Sequence, residues 1–143
     1  MSSAPVRLSV AKKRPVAGYV LTGLVGLFLT FDTMVKVLMH PSGVNGTTQL
    51  GYPANTVLWI GLIELVCLGL YLAPQTSVLG ALLLTGYLGG AIATHVRVGS
   101  PLLTHTLFPI YVAALIWGGL LLREQRLRTL LPLRREPGQE NRS

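Results

Sequence analysis

Four long apolar segments constrain the fold of this chain more than any other feature. They cover about residues 16–39, 54–72, 76–96 and 104–122. Each holds roughly 19–24 residues, and as an α-helix of that length it extends about 28–36 Å, enough to cross a hydrocarbon core of about 30 Å. Strands would require alternating polarity and paired turn residues, which the segments lack. The sequence therefore predicts an all-α fold, a bundle of four transmembrane helices.

Composition agrees with this fold and excludes other classes of protein. Half of the 143 residues are hydrophobic and 12% are charged, whereas a soluble domain carries about 25% charged residues. The single cysteine, Cys67, cannot form an internal disulfide or a two-cysteine redox pair. An ordinary soluble domain, a disordered chain and a disulfide scaffold are therefore excluded. The first apolar segment is too long for a signal-peptide core, so we expect it to be a retained helix.

The distribution of basic residues predicts the topology. Ten of the twelve lysines and arginines flank the four segments, four before the first and six after the fourth. By the positive-inside rule both termini are cytoplasmic, which requires an even number of spans. We expect basic cytoplasmic tails at residues 1–14 and 124–143, a membrane domain at 15–123, and a location in a bacterial plasma membrane. The flanking residues are Arg7, Lys12, Lys13, Arg14, Arg123, Arg126, Arg128, Arg134, Arg135 and Arg142.

The same charges indicate which partners to expect. They flank apolar segments instead of alternating with aromatic residues on a soluble surface, so anionic lipids account for them better than nucleic acid does. The expected partners are the lipid bilayer and either other membrane proteins or further copies of this chain, with no nucleic acid.

Turn residues separate the segments. His40-Pro41-Ser42-Gly43 ends the first helix and opens a predicted polar loop, residues 44–53. Pro109 falls in the first turns of the fourth helix and is a candidate kink. Gly86 and Gly90 have the small-xxx-small spacing typical of closely packed membrane helices.

Charged residues inside apolar segments are the strongest functional signal, because a charge is costly to place in lipid. Asp32 and Lys36 are four residues apart and share a helix face. They form either a ligand or proton site, or a self-compensated pair with Lys36 extended to the interface. Glu64 has no charged neighbour on its own helix, so it is either protonated or paired with another helix.

The remaining candidates follow from the topology. His95 and Arg97 end the third helix and His105 begins the fourth, so we expect all three at the outward-facing end, near Lys36. Tyr87 and Trp117 are pocket-lining candidates. Together these residues form a predicted ligand-binding or proton-relay cluster, with no catalytic residue identified. A metal or haem is disfavoured because the ligand set is incomplete and Lys36 and Arg97 repel cations.

Several motifs resemble the DoxX-like family of small four-helix bacterial membrane proteins. They are Gly61-Leu-Ile-Glu64, Ala73-Pro74, Gly86-Tyr-Leu-Gly-Gly-Ala-Ile-Ala-Thr-His95-Val-Arg97, Pro101, His105-Thr-Leu-Phe-Pro109 and Trp117-Gly-Gly-Leu-Leu-Leu-Arg123. The resemblance covers about residues 16–123. It implies kinship with a membrane subunit of a thiosulfate:quinone oxidoreductase, and it supplies no catalytic residue.

Three functions are consistent with these features. The first is a non-catalytic membrane subunit or small-molecule-binding protein linked to quinone-dependent redox chemistry, with a quinone as the candidate cofactor. The second is a proton-coupled transporter subunit that uses Glu64. The third is a structural partner in a membrane complex. The sequence favours a non-enzymatic role, at most an oxidoreductase-associated subunit.

Overall fold

Helices form almost the whole of the described chain. The computed structural model describes residues 6–124, 126 and 127, with side chains from Val16 onwards. Five α-helices follow one another: α1 (Val6–Val37), α2 (Pro41–Gln49), α3 (Val57–Leu72), α4 (Ser77–Arg97) and α5 (Phe108–Arg123). A 3-10 turn, Ala54–Thr56, precedes α3, and a π-helical turn, Leu102–Thr106, precedes α5.

Four stretches within the described residues are long and apolar enough to cross a membrane: Val16–Val37, Ala54–Leu72, Ser77–Arg97 and Leu102–Arg123. The all-α prediction of four spanning helices is therefore confirmed. Both ends of the first helix differ from the prediction, because α1 begins at Val6 and continues through the basic residues before the apolar segment, and it ends at Val37. Most of the predicted C-terminal tail, including residues 128–143, lies outside the described residues.

The polar loop predicted at residues 44–53 is wrong for most of its length, because the chain forms α2 there. Pro41 occupies the first turn of this helix, where its missing N–H is not needed, and the His40 side chain accepts a hydrogen bond from the Ser42 N–H. Gly51, at φ +86°, follows the C-cap residue Leu50. This left-handed conformation suits glycine and ends the helix.

Pro109 does not interrupt a helix, contrary to the predicted kink. The π-helical turn ends at Thr106 and α5 begins at Phe108, so Pro109 lies in the first turn of α5. Backbone N–H groups in the first turn have no helical acceptor, and a proline there costs no hydrogen bond.

In the bundle, α1 and α4 lie diagonally opposite each other, and both pack against α3 and α5. The core is formed by buried aliphatic residues and by Tyr71, whose hydroxyl donates to the carbonyl of Ile116 at 3.2 Å. At one end of the bundle, glycines allow α1 and α5 to pack closely. A Cβ at Gly18 would lie 2.8 Å from the Gly119 carbonyl oxygen. At the other end α2 lies beside the junctions of the long helices, and we call this the α2 end.

The expected close packing at Gly86 and Gly90 is absent within the described chain. A Cβ added at either glycine would meet no heavy atom within 4 Å. Both residues instead border an open space between the helices, described below.

Candidate functional site

A cluster of four polar side chains lies between α1, α3 and α4, and we call it the ion cluster: Asp32, Lys36, Glu64 and Tyr87. The Lys36 ammonium is 2.5 Å from Asp32 Oδ2, 2.8 Å from Glu64 Oε2 and 2.9 Å from the Tyr87 hydroxyl oxygen. The Tyr87 hydroxyl donates to Glu64 Oε2 at 2.9 Å. Three helices are therefore joined through one ammonium group.

Helix geometry explains why these residues meet. Side chains in an α-helix tilt toward its N-terminus, so Lys36 on the last turn of α1 extends back to Asp32 one turn earlier. Gly61 lies one turn before Glu64 on α3, and a Cβ at Gly61 would lie 2.8 Å from the Lys36 Cβ. The absence of a side chain at Gly61 therefore lets α1 approach α3 closely enough for Lys36 to reach Glu64.

Burial differs sharply among the three charged members. The side chain of Glu64 is 0% exposed, that of Lys36 is 14% exposed and that of Asp32 is 41% exposed. A fully buried carboxylate is tolerated only with a counter-charge or a proton. The expectation that Glu64 pairs with another helix is thus met by Lys36, whose ammonium points into the bundle and not toward the interface.

One oxygen of this cluster lacks a partner. Glu64 Oε2 accepts two hydrogen bonds, but no residue in the described part of the chain donates to Glu64 Oε1, which is also inaccessible to solvent. Unpaired buried oxygens are rare in proteins because they forfeit hydration without a replacement bond. Glu64 Oε1 is therefore an unused hydrogen-bond acceptor inside the bundle.

The ion cluster borders a cavity of about 1330 Å³ at the α2 end of the bundle. Every long helix and α2 contribute to its wall. The apolar part of the lining includes Phe28, Phe31 and Phe108, and small residues of α4, Gly86 and Gly90, leave the space open. A water-filled or ligand-filled space beside buried charges is the arrangement typical of functional sites in membrane proteins.

The two predicted histidines form a second polar group in the cavity wall. The ring centroids of His95 and His105 lie 6.0 Å apart, with an angle of 57° between the ring planes. His95 Nδ1 is 3.0 Å from Ser100 Oγ, and His105 Nδ1 is 2.8 Å from Thr104 Oγ1. Neither histidine bonds to the ion cluster, so the single predicted cluster is divided into two groups along one cavity.

Arg97 and Trp117 are placed outside the residues that line the cavity. The guanidinium of Arg97 donates to the Leu50 carbonyl at 2.9 Å, which ties the end of α4 to the end of α2. The indole N–H of Trp117 donates to Thr85 Oγ1 at 2.9 Å and links α5 to α4. Both side chains hold the helices together.

Sequence reasoning missed three aromatic residues of the cavity, Phe28, Phe31 and Phe108, and one polar pair, Tyr52 and Thr94. Phe28 lies one turn before Asp32 and packs edge-on against Phe108 with ring centroids 5.5 Å apart; its i,i+4 spacing from Asp32 was a readable signal. Tyr52 and Thr94 share a hydrogen bond of 2.9 Å that fastens the chain after α2 to α4. Nothing in the local sequence signals that pair.

No group of three or more histidine, cysteine or carboxylate side chains within the described residues is arranged to hold a metal ion. In the ion cluster, the ammonium of Lys36 occupies the position between the carboxylates where a cation would bind. The geometry is that of an ion-paired cluster and not that of a set of metal ligands.

The fold and the site together define the class of the protein. Four apolar helices of spanning length, with ionisable side chains facing one another between them, form a small multi-pass membrane protein. The chain belongs to the DoxX-like family, whose model matches residues 20–119. No curated protein and no solved structure matches it. The matched residues include the whole ion cluster and the three histidines that line the cavity, His40, His95 and His105.

Proposed function

We propose that this protein binds a small, largely apolar molecule within its membrane domain and has no catalytic role of its own. The observation that carries the proposal is the cavity of about 1330 Å³ with the ion cluster in its wall. Ligand sites are typically concave and mostly apolar, with a few placed polar groups, and they measure about 300–1,000 Å³. The cavity has that composition and ample volume.

Two glycines of α4 offer a matched test of this proposal. Gly90 lines the cavity and Gly89 does not, and a Cβ at either position would meet nothing within 4 Å. Gly90→Phe adds a ring to the cavity wall and takes up part of the space, whereas Gly89→Phe adds the same ring outside it. Native mass spectrometry of the protein in nanodiscs is expected to show a bound small molecule in the wild type and Gly89→Phe, and to show a lower occupancy in Gly90→Phe. Equal occupancy in all three proteins would contradict the proposal.

A quinone is the first ligand to test in that experiment. The resemblance to the DoxX-like family implies kinship with quinone-dependent redox chemistry, and a quinone combines a polar ring with an apolar tail. Extraction of the purified protein and spectroscopy of the extract would detect it. A link to quinone chemistry predicts a stoichiometric quinone, and an extract without one would remove that link while leaving small-molecule binding open to the glycine test.

A second function, proton-coupled transport, is favoured by the unpaired Glu64 Oε1. A buried carboxyl oxygen beside a cavity can alternate between a proton and an ionised state as the cavity fills. In proteoliposomes, Glu64→Gln is expected to abolish pH-driven uptake of the bound molecule. Glu124→Gln removes a carboxylate at the opposite end of the bundle and serves as the control. A pH-driven flux that survives Glu64→Gln would exclude this function.

We also propose that the protein lies in a bacterial plasma membrane with both termini in the cytoplasm. The concentration of basic residues in the first part of α1, before its apolar segment, and at and after the end of α5 supports this orientation. In a Cys67→Ala background, a cysteine at the exposed Asn55, between α2 and α3, is expected to react with an impermeant thiol reagent added outside intact cells. A cysteine at Glu124 is expected to react only after lysis. The reverse pattern would contradict the orientation.

A further inference from the structure

The cavity wall carries two carboxyl groups, those of Asp32 and Glu64, and one ammonium group, that of Lys36. Three histidines, His40, His95 and His105, also line it. No other lysine or arginine of the described residues does, and the guanidinium of Arg97 donates to the Leu50 carbonyl instead. A negatively charged ligand would therefore meet no uncommitted lysine or arginine in the described part of the wall.

The hydrogen-bond donors of the ion cluster are also fully used. An ammonium has three hydrogens, and Lys36 directs them to Asp32, Glu64 and Tyr87. The one hydroxyl hydrogen of Tyr87 goes to Glu64 Oε2. What remains for a ligand is acceptor capacity on the partly exposed Asp32 carboxylate, since Glu64 Oε1 is unpartnered but inaccessible. The cluster can thus accept a ligand's hydrogen bonds or positive charge but has no hydrogen left to donate.

Exposure places the negative group nearest the ligand. Asp32 is the most exposed charged member of the cluster at 41%, Lys36 lies behind it, and Glu64 is completely buried. A molecule in the cavity therefore meets the Asp32 carboxylate first. Glu64, in the same wall, keeps the ammonium of Lys36 occupied from the other side.

Three aromatic rings line the same cavity as this carboxylate. Phe28 and Phe31 precede Asp32 on α1, by one turn and by one residue, and Phe108 packs edge-on against Phe28. All three rings are exposed and line the cavity. The face of an aromatic ring attracts a cation, and an adjacent carboxylate adds to that attraction.

From this arrangement we infer that the cavity selects an organic cation: a positively charged centre carried by aromatic or aliphatic groups, with the charge beside Asp32 and the apolar groups against Phe28, Phe31 and Phe108. The inference rests on the proposed small-molecule binding and specifies its ligand class. A quinone, which only accepts hydrogen bonds, would find no free donor in the ion cluster, whose hydrogens are all directed to its own members.

Two probes of equal size and shape test the sign of the charge. Tetraphenylphosphonium and tetraphenylborate differ in charge and not in outline. Their saturable binding to the full-length protein in detergent is measured by equilibrium dialysis at about pH 8, where histidine side chains are ordinarily neutral, with protein-free micelles subtracted. We expect the phosphonium to bind at least about tenfold more tightly than the borate.

Variants then test which residues bind the positively charged centre of the phosphonium. Asp32→Asn keeps the size of the side chain and is expected to lower phosphonium affinity about tenfold. Phe31→Leu keeps an apolar side chain without the ring and is expected to lower it about threefold. Glu124→Gln, at the opposite end of the bundle, is expected to leave it unchanged.

The outcomes separate the two proposals. Equal binding of the two probes, or tighter binding of the borate, would overturn the inference of a cation while leaving small-molecule binding intact. Absence of saturable binding for both probes would contradict the proposed function as well. The comparison of probes uses the wild type alone, so it stands even if Asp32→Asn does not fold.

Discussion

Removal of the Lys36 charge is expected to destabilise the bundle more than any other single change in the ion cluster. Lys36→Met leaves Glu64, which is 0% exposed, without its counter-charge. Loss of one partner of a buried pair costs about 3–5 kcal/mol. Asp32 is also left alone, but its 41% exposure allows hydration and adds little. Glu64→Gln removes a charge and keeps an amide that can bond to Lys36 and Tyr87, so its cost is about 1–3 kcal/mol.

The double variant tests the physical reason. If the cost of Lys36→Met comes from a stranded carboxylate, then replacing that carboxylate with an amide relieves it. Lys36→Met/Glu64→Gln is therefore expected to cost about 2–4 kcal/mol, roughly 2 kcal/mol or more below the sum of the single variants. The free energy of unfolding of all four proteins is measured by reversible denaturation in mixed micelles, followed by Trp59 and Trp117 fluorescence.

Additive costs would refute this reasoning. A double variant whose destabilisation equals the sum of the single variants within about 0.5 kcal/mol would show no coupling between Lys36 and Glu64. The salt bridge of 2.8 Å would then contribute nothing specific to stability. A Lys36→Met protein more stable than the wild type would show that Glu64 is neutral when Lys36 is absent.

Three further predictions concern the packing of α1 against α3, the anchoring of α2, and the ion cluster. Gly61→Ala places a methyl group 2.8 Å from the Lys36 Cβ and is expected to cost about 1–3 kcal/mol, whereas Gly89→Ala, with nothing within 4 Å, is expected to be neutral or stabilising in the same denaturation assay; equal effects would contradict the close approach of α1 and α3. Arg97→Ala removes the bond to the Leu50 carbonyl, so amide hydrogen exchange across α2 is expected to accelerate while the protection of α3 is retained; unchanged exchange in α2 would show that this bond does not hold it. Tyr87→Phe removes one acceptor and one donor from the ion cluster and is expected to cost about 1–3 kcal/mol, a result that an unchanged free energy of unfolding would contradict.

The spanning helices were readable from the sequence because the bilayer imposes their length. Any apolar run of about 20 residues in lipid must satisfy its backbone hydrogen bonds internally, so helix follows from composition alone. The helix α2 could not be predicted, because its local composition does not favour a helix. Its sequence, Pro41–Gln49, contains two glycines, an asparagine and two threonines, which favour turns. Its ends are fixed by His40 and by contacts with α4, which only the tertiary structure supplies.

The site was readable in part. The spacing of Asp32 and Lys36 predicts their pairing, and the isolation of Glu64 within α3 predicts a partner on another helix. The identity of that partner depends on which faces of α1 and α3 meet, and this is set by Gly61. The separation of His95 and His105 from the ion cluster depends on helix tilt. Neither quantity is encoded in the spacing of residues along one helix.

Close packing and open space are distributed unevenly along α4. A Cβ at Gly80, in the first turn of the helix, would lie 2.1 Å from the Tyr71 backbone nitrogen on α3, whereas a Cβ at Gly86 or Gly90 would meet no heavy atom within 4 Å. Gly86 and Gly90 line the cavity and Gly80 does not. The same helix therefore packs tightly against α3 in its first turn and leaves room for the cavity in its later turns, where Tyr87 extends to the ion cluster.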